Sequence, residues 1–172
     1  MRTSCQAAPN AMRNDLTKRL VTDMAAQISL GRSFQRSLRI HKEKTAIEYA
    51  GGSLSYGQLA ALSAVIAEAL RAEDIRPGDK VALLIGNRPE FVACDIAVAT
   101  IGAVKLPINS LLPTHTIAHI LDDSGTKALI VDAWLEEAAL SALGERSVLL
   151  YGFGRRTGAD DRFKRLALTD DM

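Results

Sequence analysis

His115 and His119 stand four residues apart in PTHTIAHILDD, a spacing that puts two imidazoles on one helical face and within reach of one metal ion. A zinc-peptidase arrangement needs Glu directly after the first histidine, and Thr116 occupies that place with no third ligand evident. The pair therefore reads as structural or solvent-exposed. Gly152, Gly154 and Gly158 follow an apolar run as G-x-G-x-x-x-G, one residue longer than the dinucleotide fingerprint and without an acidic residue at the ribose position. That stretch reads as a loop. Asp95 is the one charge in the apolar run 91–101, so it needs a partner, a raised pKa or a place on a polar seam. Cys5 and Cys94 are too far apart in sequence and context for a disulfide framework or a metal spacing, and Cys94 reads as a small core hydrophobe. No Ser-His-Asp grouping, Walker loop or pair of catalytic carboxylates can be assembled, so no catalytic, cofactor-binding or metal residue is assigned.

The elements that would position any chemistry are organised around residues 76–109, RPGDKVALLIGNRPEFVACDIAVATIGAVKLPIN. Pro77 and Gly78 suit the central positions of a type II turn. The unbroken apolar run 81–85 suits a strand covered on both faces, as in a parallel sheet. Asn87 is expected to cap a helix starting at Arg88, with Pro89 in the first turn and Glu90 completing a capping box. That helix is apolar nearly all round and ends at Gly102. Residues 104–108 supply the next strand by a parallel crossover, and Pro107, lacking a donor, marks a strand end, edge or bulge.

Residues 1–14 carry no periodicity and are expected to be a disordered tail. Leu16, Leu20, Met24 and Ile28 repeat at helical spacing until Gly31 interrupts, and Leu30, Phe34 and Leu38 resume it as an amphipathic helix. Residues 45–49 and 53–56 flank Gly51-Gly52 as a hairpin. Ser55 and Gln58 form a capping box for a helix carrying Leu59, Leu62, Ile66 and Leu70. A helix opening at Pro113-Thr114, a buried strand at 128–131, a helix at 134–143 and a strand at 147–151 complete the pattern. The expected fold is α/β, a largely parallel sheet covered by helices on both faces and preceded by a β-hairpin. Residues 15–151 form that unit, and 152–172 are expected to be a flexible tail without a closing element.

With 172 residues, 48% apolar and 24% charged, the chain holds enough for one core and is not disordered in composition. No apolar stretch is long enough to span a membrane, and the N-terminus lacks the apolar centre of a signal peptide, so the expected location is cytoplasmic. Net charge is +1. Basic residues gather in the first 44 positions but without interleaved aromatics, which reads as a solvated face and not a nucleic-acid surface.

Four ordered segments carry a resemblance: LSYGQL, RPGDKVALLIGNRPEF, IGAVKLPIN and ILDDSGTKALIV. Together they make residues 44–132 resemble the N-terminal region of the adenylate-forming (AMP-binding) superfamily. The match is nearer to acyl-CoA synthetases than to peptide-synthetase adenylation domains; Gln58 stands where the family usually has Glu, and Asn109 where peptide synthetases have Asp.

The resemblance implies a two-step reaction. A carboxylate attacks the α-phosphate of ATP to give an acyl-adenylate and pyrophosphate, then a thiol, usually of coenzyme A, displaces AMP with Mg2+ assisting. The family's Ser/Thr/Gly-rich loop, Thr-Glu element, ribose-binding Asp and C-terminal Lys have no counterpart in this sequence, which ends about where that loop is expected. The chain is thus expected to be an N-terminal fragment of an acyl-CoA synthetase for a fatty or other organic acid, inactive alone and needing no cofactor itself. The alternative is a non-catalytic module of the same fold that docks on a partner or on itself through an exposed face. A nucleotide site at Gly152, Gly154 and Gly158 is the third reading.

Overall fold

The computed structural model describes residues 29–153 and 162–166. Helix α1 (Leu30–Ile40) leads into an antiparallel hairpin of β1 (Thr45–Tyr49) and β2 (Gly52–Ser55). Helix α2 (Tyr56–Ala72) follows, then β3 (Lys80–Leu84), α3 (Pro89–Thr100), β4 (Val104–Pro107), α4 (Thr114–Ser124) and β5 (Ala128–Asp132). A 3-10 turn (Ala133–Leu135), α5 (Glu136–Leu143), β6 (Leu149–Phe153) and β7 (Phe163–Arg165) complete the described chain.

The last five strands form one parallel sheet in the order β4-β3-β5-β6-β7. The expected α/β class, with a separate hairpin, is what the chain adopts. From β3 the chain crosses to β4 through α3, then returns past β3 to β5 through α4. Because crossovers are right-handed, this reversal must send α3 and α4 to opposite faces. The two cores show that it does. Val81, Leu83, Ala128 and Ile130 pack with α1, α2 and α3 on one face. Ala82, Leu84, Leu129 and Val131 pack with α4 and α5 on the other. Strands buried on both faces explain why 81–85 and 128–131 show no polar alternation.

Several local devices follow the sequence. Arg76 O accepts from Asp79 N across the Pro77-Gly78 turn, and Gly78 has φ +88°, the conformation a type II turn requires. Ser55 and Gln58 make the reciprocal capping box on α2. Pro107 lies in β4, an edge strand where a missing donor disrupts no second ladder.

Other expectations are corrected. Arg88, not Asn87, is the N-cap of α3, no side chain caps that end, and Glu90 turns to the Arg88 guanidinium instead of closing a capping box. A charged fork offers Glu90 a stronger, bidentate partner than a backbone N–H. The repeat expected to end at Gly31 lies outside the described residues, and Gly31 itself belongs to the helix that follows. It lies in the first turn of α1, capped by Ser29, where a Cβ would come within 2.4 Å of Ala99 O on α3. Its lack of a side chain allows close helix contact.

Residues 133–135 form a 3-10 turn before α5, and the sixth strand starts at Leu149 and runs through Phe153. Residues 163–165 are not part of a structureless tail. They form β7 beside β6, with Phe163 and Leu166 buried and Lys164 paired to Glu73, the C-cap of α2. The segment is short and its polar residues hide the strand pattern. The expectations for the tail at 1–14 and the helical repeat at 16–28 lie outside the described residues.

Candidate functional site

Doubly wound parallel sheets bind ligands in the crevice beyond the carboxyl ends of the strands, where the strand order reverses. In this sheet that place lies between β3 and β5. The turn after β3 runs Ile85-Gly86-Asn87-Arg88 into α3, and β5 ends on Asp132.

Arg88 reaches across the gap. Its Nε donates to Glu90 Oε2 at 2.8 Å and its Nη2 to Glu90 Oε1 at 2.7 Å, while Nη1 donates to Asp132 Oδ1 at 2.9 Å. The guanidinium carbon also sits 5.1 Å from the ring centroid of Phe153 at the end of β6, a cation–π distance. Both carboxylates are dry, at 5% side-chain exposure for Glu90 and 3% for Asp132, whereas the arginine side chain is 34% exposed. Hydrogen bonding to Glu90 holds the Arg88 pKa above its ordinary value, against the opposing effect of burial.

Trp134 completes the arrangement from the turn after β5. A Cβ added to Gly86 would lie 3.5 Å from Asp132 Oδ2 and 3.7 Å from Trp134 Cζ2, ordinary van der Waals distances that place this turn beside both side chains. The indole is otherwise open, with Trp134 62% exposed. Chemically this is a closed charge cluster: one guanidinium serves two buried carboxylates. It contains no hydroxyl or thiol nucleophile and no imidazole. Its single strand-to-helix glycine, followed by Asn87, Arg88 and Pro89, does not form a glycine-rich phosphate cradle.

The residues singled out in sequence are not gathered here. His115 and His119 are both exposed on α4, against the opposite face from α3. Asp95 pairs with Lys105 of β4, whose Nζ donates at 2.7 Å to both carboxylate oxygens, so it sits on a polar seam. Cys94 is buried among apolar side chains, and that burial, with Glu90 and Asp95 nearby, pushes its thiol pKa up and keeps it unreactive. Gly152 lies within β6 opposite Val131; Gly154, Gly158 and Cys5 lie outside the described residues. Among the described residues no group of three or more His, Cys, Asp or Glu side chains is placed to hold a metal, and no helix is long and apolar enough to cross a membrane.

Sequence reading missed Asp132 and Phe153 and gave Arg88 and Glu90 only local roles. The available signal was an acidic residue ending an apolar strand and Arg-Pro-Glu opening a helix. Only the topology, which lays β5 beside β3, joins them.

A family model described as AMP-binding enzyme matches residues 34–162. The chain is 35% identical over 126 residues to a feruloyl-CoA synthase of Amycolatopsis, covering 73% of this chain and 26% of that protein. It is 41% identical over 80 residues to the long-chain-fatty-acid–CoA ligase FadD13 of Mycobacterium tuberculosis, covering 46% of this chain and 16% of that one. The crystal structure of a benzoate CoA ligase from Burkholderia xenovorans superposes with a TM-score of 0.69 at 22% identity, over 73% of this chain and 26% of that one; at this identity it shows the fold alone. The chain therefore spans about a quarter or less of the length of these relatives.

Proposed function

The chain belongs to the AMP-binding enzyme family, and from that premise we propose that it forms the N-terminal scaffold of an ATP-dependent acyl-CoA synthetase and does not catalyse by itself. The whole reaction would be adenylation of a carboxylic acid followed by transfer of the acyl group to coenzyme A, with ATP and Mg2+ used by the complete enzyme. Fatty acids and aromatic acids are the substrate classes suggested by the relatives. The cytoplasm is the expected location.

One observation carries the reading. The β3–α3–β4 unit and the strands beside it lie within the matched residues, and among the described residues the carboxyl ends of those strands hold a self-neutralised Arg88–Glu90–Asp132 cluster and no glycine-rich phosphate cradle. A chimera tests the scaffold role. Residues 34–162 replacing the matching segment of an active feruloyl-CoA synthase should preserve acid-dependent ATP–pyrophosphate exchange; a folded, soluble chimera without exchange contradicts it.

A second reading, a non-catalytic module that docks on another chain, is favoured by Leu111 and Trp134, exposed in the turns after β4 and β5 at one end of the sheet. Native purification that yields a stoichiometric partner supports it, and a monodisperse monomer counts against it.

A further inference from the structure

The turns after β3 and β5 leave the sheet for opposite faces, one into α3 and the other through the 3-10 turn into α5. Divergent turns of this kind open the crevice that doubly wound sheets use for ligands. Here the protein spans the crevice with its own side chains. We infer that the Arg88–Asp132 pair is a latch across that crevice, holding the two turns together and keeping Trp134 seated over Gly86.

Three observations point to a latch and not to a brace of the core. First, the pair lies at the carboxyl ends of the strands, joining the turn after β3 to the last residue of β5, beyond the apolar layers that fill the two faces of the sheet. Secondly, burial is lopsided: Asp132 is 3% exposed and Arg88 34%, so water reaches the guanidinium and the pair can part from the arginine side. Arg88 keeps its bidentate hold on Glu90 at 2.7 and 2.8 Å when the single 2.9 Å bond to Asp132 breaks, so opening leaves the cation paired. Thirdly, Trp134 is only two residues beyond Asp132 and mostly exposed, and its indole edge lies 3.7–3.8 Å from the position that a Cβ on Gly86 of the other turn would take. Its contact across the crevice is slight and depends on the turn that Asp132 anchors. With the latch open, Asp132 hydrates, the turn after β5 swings from Gly86, and the gap between the carboxyl ends of β3 and β5 becomes accessible.

Trp134 is the only tryptophan in the chain, so its fluorescence reports on this crevice without interference. The test uses the full chain with Arg88→Met, and Lys105→Met as a control that breaks the Asp95 pair between α3 and β4. Arg88→Met should red-shift the native emission and raise the acrylamide quenching constant while the far-ultraviolet circular dichroism stays native; Lys105→Met should change neither signal. A purely structural pair would lower the unfolding midpoint and leave the native emission unchanged, and that result overturns the latch. Should Arg88→Met not fold, Asp132→Ala, which removes the acceptor while Arg88 keeps its bidentate hold on Glu90, carries the same expectation and the same contrary outcome.

Discussion

Asp132 at the end of β5 accepts a 2.9 Å hydrogen bond from Nη1 of Arg88, the N-cap of α3, 44 residues earlier in the chain. That one bond joins the turn after β3 to the end of β5, across the point where the strand order reverses. Removing the cation leaves the Glu90 and Asp132 carboxylates buried without the partner that neutralises them. Breaking a buried pair costs roughly 3–5 kcal/mol, and the part exposure of Arg88 discounts this to about 2–4 kcal/mol for Arg88→Met. Urea denaturation measures it, and adding Glu90→Gln and Asp132→Asn should return part of the loss.

Gly31→Ala tests the contact between α1 and α3. Helix propensity alone favours alanine by up to about 1 kcal/mol. A Cβ would stand 2.4 Å from Ala99 O and 2.9 Å from Ala99 C, which are backbone atoms unable to move aside cheaply. Overpacking should win, and we expect a net loss of about 1–3 kcal/mol in chemical denaturation. A stabilised variant would show that α1 is not seated as described.

Tyr151 on β6 donates its hydroxyl at 3.0 Å to the carbonyl of Ala69 in the last turn of α2, where helical carbonyls lack intrahelical partners. Burial, with Glu73 nearby, pushes the phenol up from 10.0 to about 12. A raised folded-state pKa favours the protonated fold. Its contribution is therefore complete below about pH 10 and is lost as pH rises to about 12. Unfolding midpoints should fall through that window, and Tyr151→Phe, costing about 1 kcal/mol at neutral pH, should flatten the fall.

Ser55→Ala removes the capping box at the start of α2, where Ser55 Oγ accepts from Gln58 N at 3.1 Å and Gln58 Oε1 accepts from Ser55 N at 2.8 Å. A loss of about 1 kcal/mol is expected, read as a lower thermal midpoint. Gln58→Glu should retain the cap, because a carboxylate accepts the same bond near the positive end of the helix.

Features that depend on local chemistry were legible in the sequence. The Pro77-Gly78 turn, the Ser55 cap, the hairpin at Gly51-Gly52 and the unbroken apolar strands each follow from residue types a few positions apart. What escaped depends on distance in sequence. Glu90 looked like a capping residue because three-residue spacing favours that role, but a guanidinium two positions earlier claims it. β7 has only three residues, and its stability comes from docking on β6 and from the Lys164–Glu73 pair, neither visible in its composition. The crevice cluster draws on the ends of three strands, so no window of the sequence contains it.

We propose that this chain supplies part of the family scaffold and does not adenylate an acid by itself. ATP–pyrophosphate exchange by the purified chain alone, with Mg2+ and a panel of fatty and aromatic acids, tests it most directly. Exchange should be no greater than in the acid-free control for every acid. Robust acid-dependent exchange would contradict it and place an adenylating site within these 172 residues.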